Sequence, residues 1–242
     1  MKFEIEFTRE FIRRSLPQRG RRLLEIGCGD GELAASLLQD GFSLVAIDSD
    51  ADSIADAQKL RVDARLAAWP EFEDGQFDAV LFTRSLHHIH SLGKAVQRAA
   101  VSLVLGGRLI VEDFAHEAAD EKALQWFGQV IERLDSAGVL IRGDDFLDAV
   151  RAKTATLRAW RETHESDLHT AAAILTEIRK IFGKTRCEEV PYYFRYLARA
   201  IAPHVDRGKI LRDLVEEETE LIRSGVIRAL GRRFVAERRN KS

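Results

Sequence analysis

The chain is poor in cysteine. Cys28 and Cys187 are the only two in 242 residues, too far apart for a zinc spacing and too few for a disulfide framework. A reducing cytosol is the expected setting. Neither charge is in excess: 37 Lys and Arg stand against 39 Asp and Glu, a formal net charge of −2. No global basic field exists to gather nucleic acid, and no nucleic-acid partner is expected. Arg232, Arg233, Arg238, Arg239 and Lys241 form a basic end, and the acids just before it mark it as solvated. No apolar run approaches the roughly 18 residues of a membrane span. The opening Met1-Lys2-Phe3-Glu4-Ile5-Glu6 carries no long apolar stretch, so neither a signal peptide nor a membrane partner is expected. Internal repeats and low-complexity linkers are absent as well. What is present is 45% hydrophobic and 31% charged, ordinary for a globular protein. The length suits one large domain or one domain with a sizeable insertion.

The pattern changes character near residue 115. Before it, short apolar runs alternate with helical periodicity. Leu23-Leu24-Glu25-Ile26 reads as a strand, Glu32 to Gln39 as a helix, Ser43 to Ile47 as a strand ending at Asp48, and Asp50 to Leu60 as a helix. Val62 to Ala67 is a weak third strand and Phe77 to Phe82 a fourth. A helix over Leu92 to Leu105, a turn at Gly106-Gly107 and a fifth strand at Arg108 to Glu112 complete this half. Strands alternating with helices imply parallel pairing through right-handed crossovers, hence a doubly wound sheet. From Ala118 to Phe182 the pattern is almost wholly helical, with Leu124, Phe127, Ile131 and Leu134 on one face. Strand character returns at Arg186 to Ala200 and at Val226 to Glu237, with a charged helix between. Two late strands fit a sheet that resumes after a helical insertion. The expected organisation is a core over 1–114, a helical cap over 115–182, and a completing segment over 183–242.

The run Glu25-Ile26-Gly27-Cys28-Gly29-Asp30-Gly31 lies between the first strand and its helix. A tight turn there needs residues without an obstructing Cβ. The open end of that strand is where doubly wound sheets bind ligands, and the helix after Gly31 offers free N–H groups and a positive dipole end. The spacing is G-x-G-x-G rather than the G-x-G-x-x-G of dinucleotide enzymes. Asp48 follows the second strand, where a carboxylate accepts from both ribose hydroxyls.

These pieces together resemble the class I S-adenosylmethionine-dependent methyltransferases, in their small-molecule flavour. E-I-G-C-G-D-G-E-L is similar to their first motif and V-A-I-D-S-D to their second. F-D-A-V-L-F-T-R-S-L-H-H-I is similar to the fourth-strand motif and G-G-R-L-I-V-E-D to the fifth, all in order over residues 21 to 113. The resemblance implies an α/β fold: a doubly wound, mostly parallel, seven-stranded Rossmann-like sheet with a helical cap inserted after the fifth strand. It implies S-adenosyl-L-methionine as cofactor. Glu25, Gly27, Cys28 and Gly29 would frame its methionine part, Asp48 and Ser49 its ribose, and the backbone of Thr83 and Arg84 its amino group. The family usually places an Asp after the third strand near adenine. This chain has Leu66-Ala67-Ala68-Trp69-Pro70 there, which leaves adenine to backbone and packing at Ala68 and Trp69. Cys28 is otherwise a small buried filler, and Asp50 is a better helix cap than Asp48.

Methyl transfer from a sulfonium is an in-line displacement, in which the protein aligns the groups and excludes water. His87 and His88 follow the fourth strand at the open end of the sheet, with the right intrinsic pKa for a general base. One of them is as well read as structural, and proximity alone suffices in enzymes of this kind. A metal site from His87, His88, His90 and His116 lacks the spacing and companion carboxylates it needs, so no metal is expected. Trp126, Trp160, His164, Tyr192 and Tyr193 are candidates to enclose an apolar acceptor, or are simply core. Arg13, Arg14 and Arg84 are candidates for an anionic one, the first two otherwise being solvated helix charges. Phe3, Phe7 and Phe11 suggest an N-terminal helix that closes over the cofactor or packs on the sheet. The reading is a cytosolic small-metabolite methyltransferase acting on O, N or C. A noncatalytic S-adenosylmethionine-binding protein and a nicotinamide-dependent oxidoreductase are the alternatives. Fold motifs encode neither the acceptor nor the oligomeric state.

Overall fold

The computed structural model describes residues 1–164 and 167–240, without the side chains of 163 and 164. The side chain of His164 and the whole of Lys241 thus lie outside the described residues. A helix, α1 (Phe3–Ser15), precedes the first strand. Five strands follow: β1 (Arg22–Ile26), β2 (Ser43–Asp48), β3 (Asp63–Leu66), β4 (Phe77–Thr83) and β5 (Leu103–Phe114). Helices α2 (Glu32–Gln39), α3 (Ala51–Lys59) and α4 (Leu92–Ser102) connect them. An insertion of four helices comes next: α5 (Glu121–Ser136), α6 (Asp145–Arg151), α7 (Leu157–His164) and α8 (Ala171–Phe182). The chain then returns to the sheet as β6 (Thr185–Val190), passes through α9 (Phe194–Leu197) and α10 (Arg207–Arg223), and ends on β7 (Gly231–Glu237).

All seven strands form one sheet in the order β3-β2-β1-β4-β5-β7-β6. The first five pair in parallel, and β7 lies antiparallel to both its neighbours. This is the open, doubly wound architecture that the motifs imply. Side chains along each strand alternate between two cores. Leu23, Ala79, Leu81 and Ile110 face α1, α2 and α3. Leu24, Val80, Phe82, Leu109 and Val111 face α4 and the inserted helices. Burial on both sides explains why these strands read as continuous apolar runs. The strand order reverses between β1 and β4, so their carboxyl ends diverge and leave a crevice.

Several local expectations change. Strand character at Arg186 to Ala200 stops at Val190, and Phe194–Leu197 is helical. Aromatic residues favour strands, but the buried carboxylate of Glu218 on α10 accepts from the backbone N–H of Tyr192 and Tyr193, which turns the chain into a helical start. The final strand begins at Gly231 rather than Val226, and the fifth begins at Leu103, directly after α4. The basic end is not uniformly solvated, because Arg233 is 5% exposed and ion-paired to Glu112. Asp50 caps α3 by accepting from Ser53 N at 2.8 Å. Phe11 packs into the sheet, whereas Phe3 and Phe7 meet Phe194 edge-on.

Candidate functional site

The crevice at the switch point holds a cavity of about 590 Å³. Its floor is the turn after β1. Gly27 N and Cys28 N both donate to Ile47 O, at 2.9 and 3.1 Å, which ties the turn to the end of β2. Gly27 has φ +73°, and a Cβ there would lie 2.5 Å from Ser85 Cβ. Gly29 has φ +53° and nothing within 4 Å of the place its Cβ would take. The first glycine is thus required by packing, while the second leaves the backbone open to a ligand.

Asp48 stands on the rim between the turn and α3. Its Oδ2 accepts from Gly29 N at 2.9 Å and its Oδ1 from Asp50 N at 3.0 Å. Two backbone donors fix the carboxylate and leave each oxygen with acceptor capacity for a diol. Ser49, Ala68 and Trp69 line the same cavity. The Trp69 indole is anchored from behind, its Nε1 donating to Ala95 O at 3.1 Å and its ring edge-on to Phe82. It presents a fixed apolar wall.

Glu25 is buried one layer below. Its Oε1 accepts from Thr83 Oγ1 at 3.0 Å, while its Oε2 is buried with no hydrogen-bond partner among the described residues. Burial pushes the Glu25 carboxyl up to about 7, against the pull of Thr83 and Arg84. A buried carboxylate with a free oxygen suits an added cation. Burial likewise pushes the Cys28 thiol up to about 12, which keeps it a protonated filler. Arg84 adopts φ +62°, a costly conformation for a side-chain-bearing residue. Its N–H donates to Glu112 O at 2.7 Å, and its side chain reaches the cavity.

The two histidines part company. His88 is exposed and lines the cavity. His87 is 4% exposed, with Nδ1 2.5 Å from Asp113 Oδ1 and its own N–H donating to Asp113 Oδ2 at 3.2 Å. The rings meet at a tilt of 43° with centroids 4.0 Å apart. Partial desolvation against the loop and the neighbouring His87 hold the His88 pKa below its ordinary value. From the insertion, His169 N donates to His87 O and its Nε2 to Ile89 O, both at 2.9 Å. The inserted helices are thereby tied to the histidine loop.

Gly27, Gly29, Asp48, Ser49, Ala68, Trp69, Arg84 and His88 thus share one cavity, with Glu25, Cys28, Thr83 and His87 behind its wall. Trp126, Trp160 and Tyr193 are core residues, whereas Tyr192 lines a second, smaller cavity. Arg13 and Arg14 point elsewhere, to Asp40 and Glu188. The sequence reading missed Ser85, whose Oγ donates to Ile26 O at 2.5 Å, and the exposed acid Glu71 on the cavity rim. It also missed Asp113, although an acid closing the fifth strand was a usable signal. Among the described residues no His, Cys, Asp and Glu side chains converge in a group able to hold a metal. No helix among them is long and apolar enough to cross a membrane.

Comparison with known proteins gives a consistent picture. A family model described as a methyltransferase domain matches residues 2–141. A ubiquinone biosynthesis O-methyltransferase of Azorhizobium caulinodans is 36% identical over 103 residues, 39% of this chain and 41% of that protein. The match thus spans less than half the length of that relative. Phosphoethanolamine N-methyltransferase 2 of Haemonchus contortus, solved with S-adenosyl-L-methionine, superposes with a TM-score of 0.60 at 16% identity, over 97% of this chain and 53% of that one. N-methyltransferase NodS of Bradyrhizobium japonicum, solved with S-adenosylhomocysteine, gives 0.54 at 15% identity, over 99% and 88%. At these identities the solved structures speak for the fold.

Proposed function

The chain belongs to the methyltransferase domain family, and from that premise we propose that it moves a methyl group from S-adenosylmethionine to O, N or C of a small metabolite. The observation that carries the reading is the anchored carboxylate of Asp48 on the cavity, together with the buried Glu25 beneath the glycine turn, whose Oε2 has no hydrogen-bond partner among the described residues. Those two features suit the ribose diol and the ammonium of an adenosyl amino acid. They do not suit a dinucleotide, which would bring a pyrophosphate to this end of the helix.

The cofactor supplies an activated methyl on a sulfonium. The chain supplies alignment and a dry site. In this reading Glu25, Gly27, Cys28 and Gly29 frame the methionine part, with the backbone of Thr83 and Arg84 beside it. Asp48 and Ser49 hold the ribose, and Ala68 and Trp69 pack on the adenine. Where the acceptor must lose a proton, His88 takes it, because its lowered pKa keeps the ring neutral near pH 7. His87, held by Asp113, packs against the His88 ring and fixes its place. Residues 115–182 act as the cap and 183–242 complete the core. The two free cysteines suit a reducing cytosol, and the balanced charge favours a small molecule over nucleic acid.

Calorimetric titration with S-adenosylmethionine, S-adenosylhomocysteine and NADH tests the reading. Saturable one-to-one binding of both adenosyl ligands, with NADH silent, is the expected outcome. Folded, cofactor-free protein that binds NADH and neither adenosyl ligand would overturn it.

A further inference from the structure

A second cavity of about 340 Å³ abuts the first and shares Arg84 with it. Its walls come from α1, the glycine turn and the α9 region, including Tyr192 and Tyr196. Its charge is unusual. Arg84, Arg195, Arg199 and Arg207 all line it. Of the acids there, Glu4 is ion-paired to Arg207 and Glu32 to Lys2. Asp30 accepts from Glu32 N at the edge of the glycine turn. Behind the wall, one buried carboxylate, Glu112, faces three guanidinium groups: Arg195 at 2.5 Å, Arg233 at 2.6 Å and Arg84 at 3.9 Å. One negative charge cannot balance three. Arg84 is the most distant of them and the one that reaches both cavities.

Two further observations point outward from this cluster. Arg199 is exposed and makes no ion pair among the described residues. Arg195 has a side chain 9% exposed, yet its Nε is buried with no hydrogen-bond partner among the described residues. An unsatisfied guanidinium donor inside a protein is costly, and an anion supplies what it lacks. Glu4 Oε2 is also buried without a partner and offers an acceptor to one O–H or N–H on the same molecule. The two tyrosine rings, packed edge to face, add apolar surface to the wall.

We propose that this second cavity is the acceptor chamber, and that the acceptor is a small molecule carrying a carboxylate or phosphate that Arg84 and Arg199 hold while its nucleophile faces the first cavity. The assignment rests on the methyltransferase reading above for the word acceptor; the anion preference rests on the arginines alone. Guanidinium groups recognise both oxyanions through paired N–H donors, so the source of the anion is a matter for the test.

The experiment is a ligand-observed NMR titration of the protein with benzoate, phenyl phosphate and the neutral isostere benzamide, each with and without saturating S-adenosylhomocysteine. Benzoate or phenyl phosphate is expected to bind at least about tenfold more tightly than benzamide, the size of one charge-assisted contact. The tighter of the two names the oxyanion. Arg199→Gln, at an exposed position outside the folded core, is expected to remove that preference, and Arg199→Lys to keep part of it. S-adenosylhomocysteine affinity is expected to stay unchanged in both variants. Equal binding of benzamide, no binding of either anion, or an Arg199→Gln variant that keeps the preference would each overturn the proposal. So would a loss of S-adenosylhomocysteine affinity in Arg199→Gln, which would assign the arginine to the carboxylate of the cofactor. Wild-type protein that ignores S-adenosylhomocysteine but still prefers the anions would sink the cofactor reading and leave the anion site standing.

Discussion

Two glutamates buried in one sheet, Glu25 on β1 and Glu112 on β5, are surrounded in opposite ways. Glu112 receives Thr8 Oγ1 at 2.6 Å, Arg195 at 2.5 Å and Arg233 at 2.6 Å. Despite complete burial its carboxyl is drawn down to about 2, chiefly because Arg195, Arg233 and Arg84 outweigh desolvation. Glu25 has one hydroxyl partner and one orphaned oxygen, and burial drives it up to about 7. At the closed end of β5 the Glu112 carboxylate is fully partnered, while at the open end of β1 Glu25 Oε2 has no partner among the described residues. The difference separates a residue whose partners the fold supplies from one to which the proposed function gives a ligand.

Removing the charge of Glu112 tests the closed end hardest. Glu112→Gln leaves Arg195 and Arg233 buried without a counter-charge, so unfolding in urea at pH 7 is expected to show a loss of about 3–5 kcal/mol. The wild-type protein should show the matching acid sensitivity. A carboxyl whose folded pKa lies below its ordinary 4.5 stabilises above that value and loses the contribution as pH falls towards about 2. A Glu112→Gln variant as stable as wild type would mean that the three arginines are solvated rather than held by this carboxylate.

At the open end the sign reverses. With its folded pKa near 7 against 4.5, Glu25 binds more protons in the folded chain than in the unfolded one between those values. Stability is then unaffected below pH 4.5, declines as pH rises to about 7, and stays reduced above it. Glu25→Gln is therefore expected to stabilise the ligand-free protein at pH 8, by up to about 3 kcal/mol, and to change little at pH 4. The same variant should bind S-adenosylhomocysteine less tightly at pH 8. Thermal melts at the two pH values decide it, and a variant destabilised at pH 8 would show that Glu25 is already satisfied.

Asp48 sharpens the contrast between fold and ligand. Its two backbone donors keep the carboxylate in place, yet its free acceptor capacity faces the cavity. Asp48→Ala is expected to lower S-adenosylhomocysteine affinity about ten- to a hundred-fold, the worth of a charge-assisted pair of hydrogen bonds. Calorimetry on the folded variant measures it, and unchanged affinity would place the ribose elsewhere.

The open end was legible in the sequence and the closed end was not. Glu25, Gly27 and Gly29 lie within one turn of the chain, and Asp48 closes the very next strand, so a short stretch of sequence carries them. The cluster around Glu112 draws on Thr8, Arg84, Arg195 and Arg233, spread over nearly the whole chain, and only the strand order brings them together. Read alone, Arg233 is one more charge in a basic end, and Tyr192-Tyr193 is one more aromatic run with strand propensity. The carboxylate of Glu218, far along the sequence, converts that run into a helical start. His87 and His88 are adjacent and alike in sequence. Only the position of Asp113 at the end of β5 gives one a buried anchor and leaves the other on the cavity.

The smallest expected effect on folding is the most discriminating for the turn. An added Cβ at Gly29 meets nothing within 4 Å, so Gly29→Ala bears only the strain of holding φ +53°. That strain is of order 1 kcal/mol, and the variant should fold with a slightly lowered midpoint in urea. The methyl would nevertheless stand in the space through which a ligand approaches the backbone, and S-adenosylhomocysteine affinity is expected to fall at least about tenfold. Gly27→Ala confounds the two effects, because its Cβ would lie 2.5 Å from Ser85 Cβ and disturb the loop after β4. A Gly29→Ala protein that folds and binds like wild type would mean that no ligand runs along this turn. Glu25 Oε2 would then need another explanation for its missing partner.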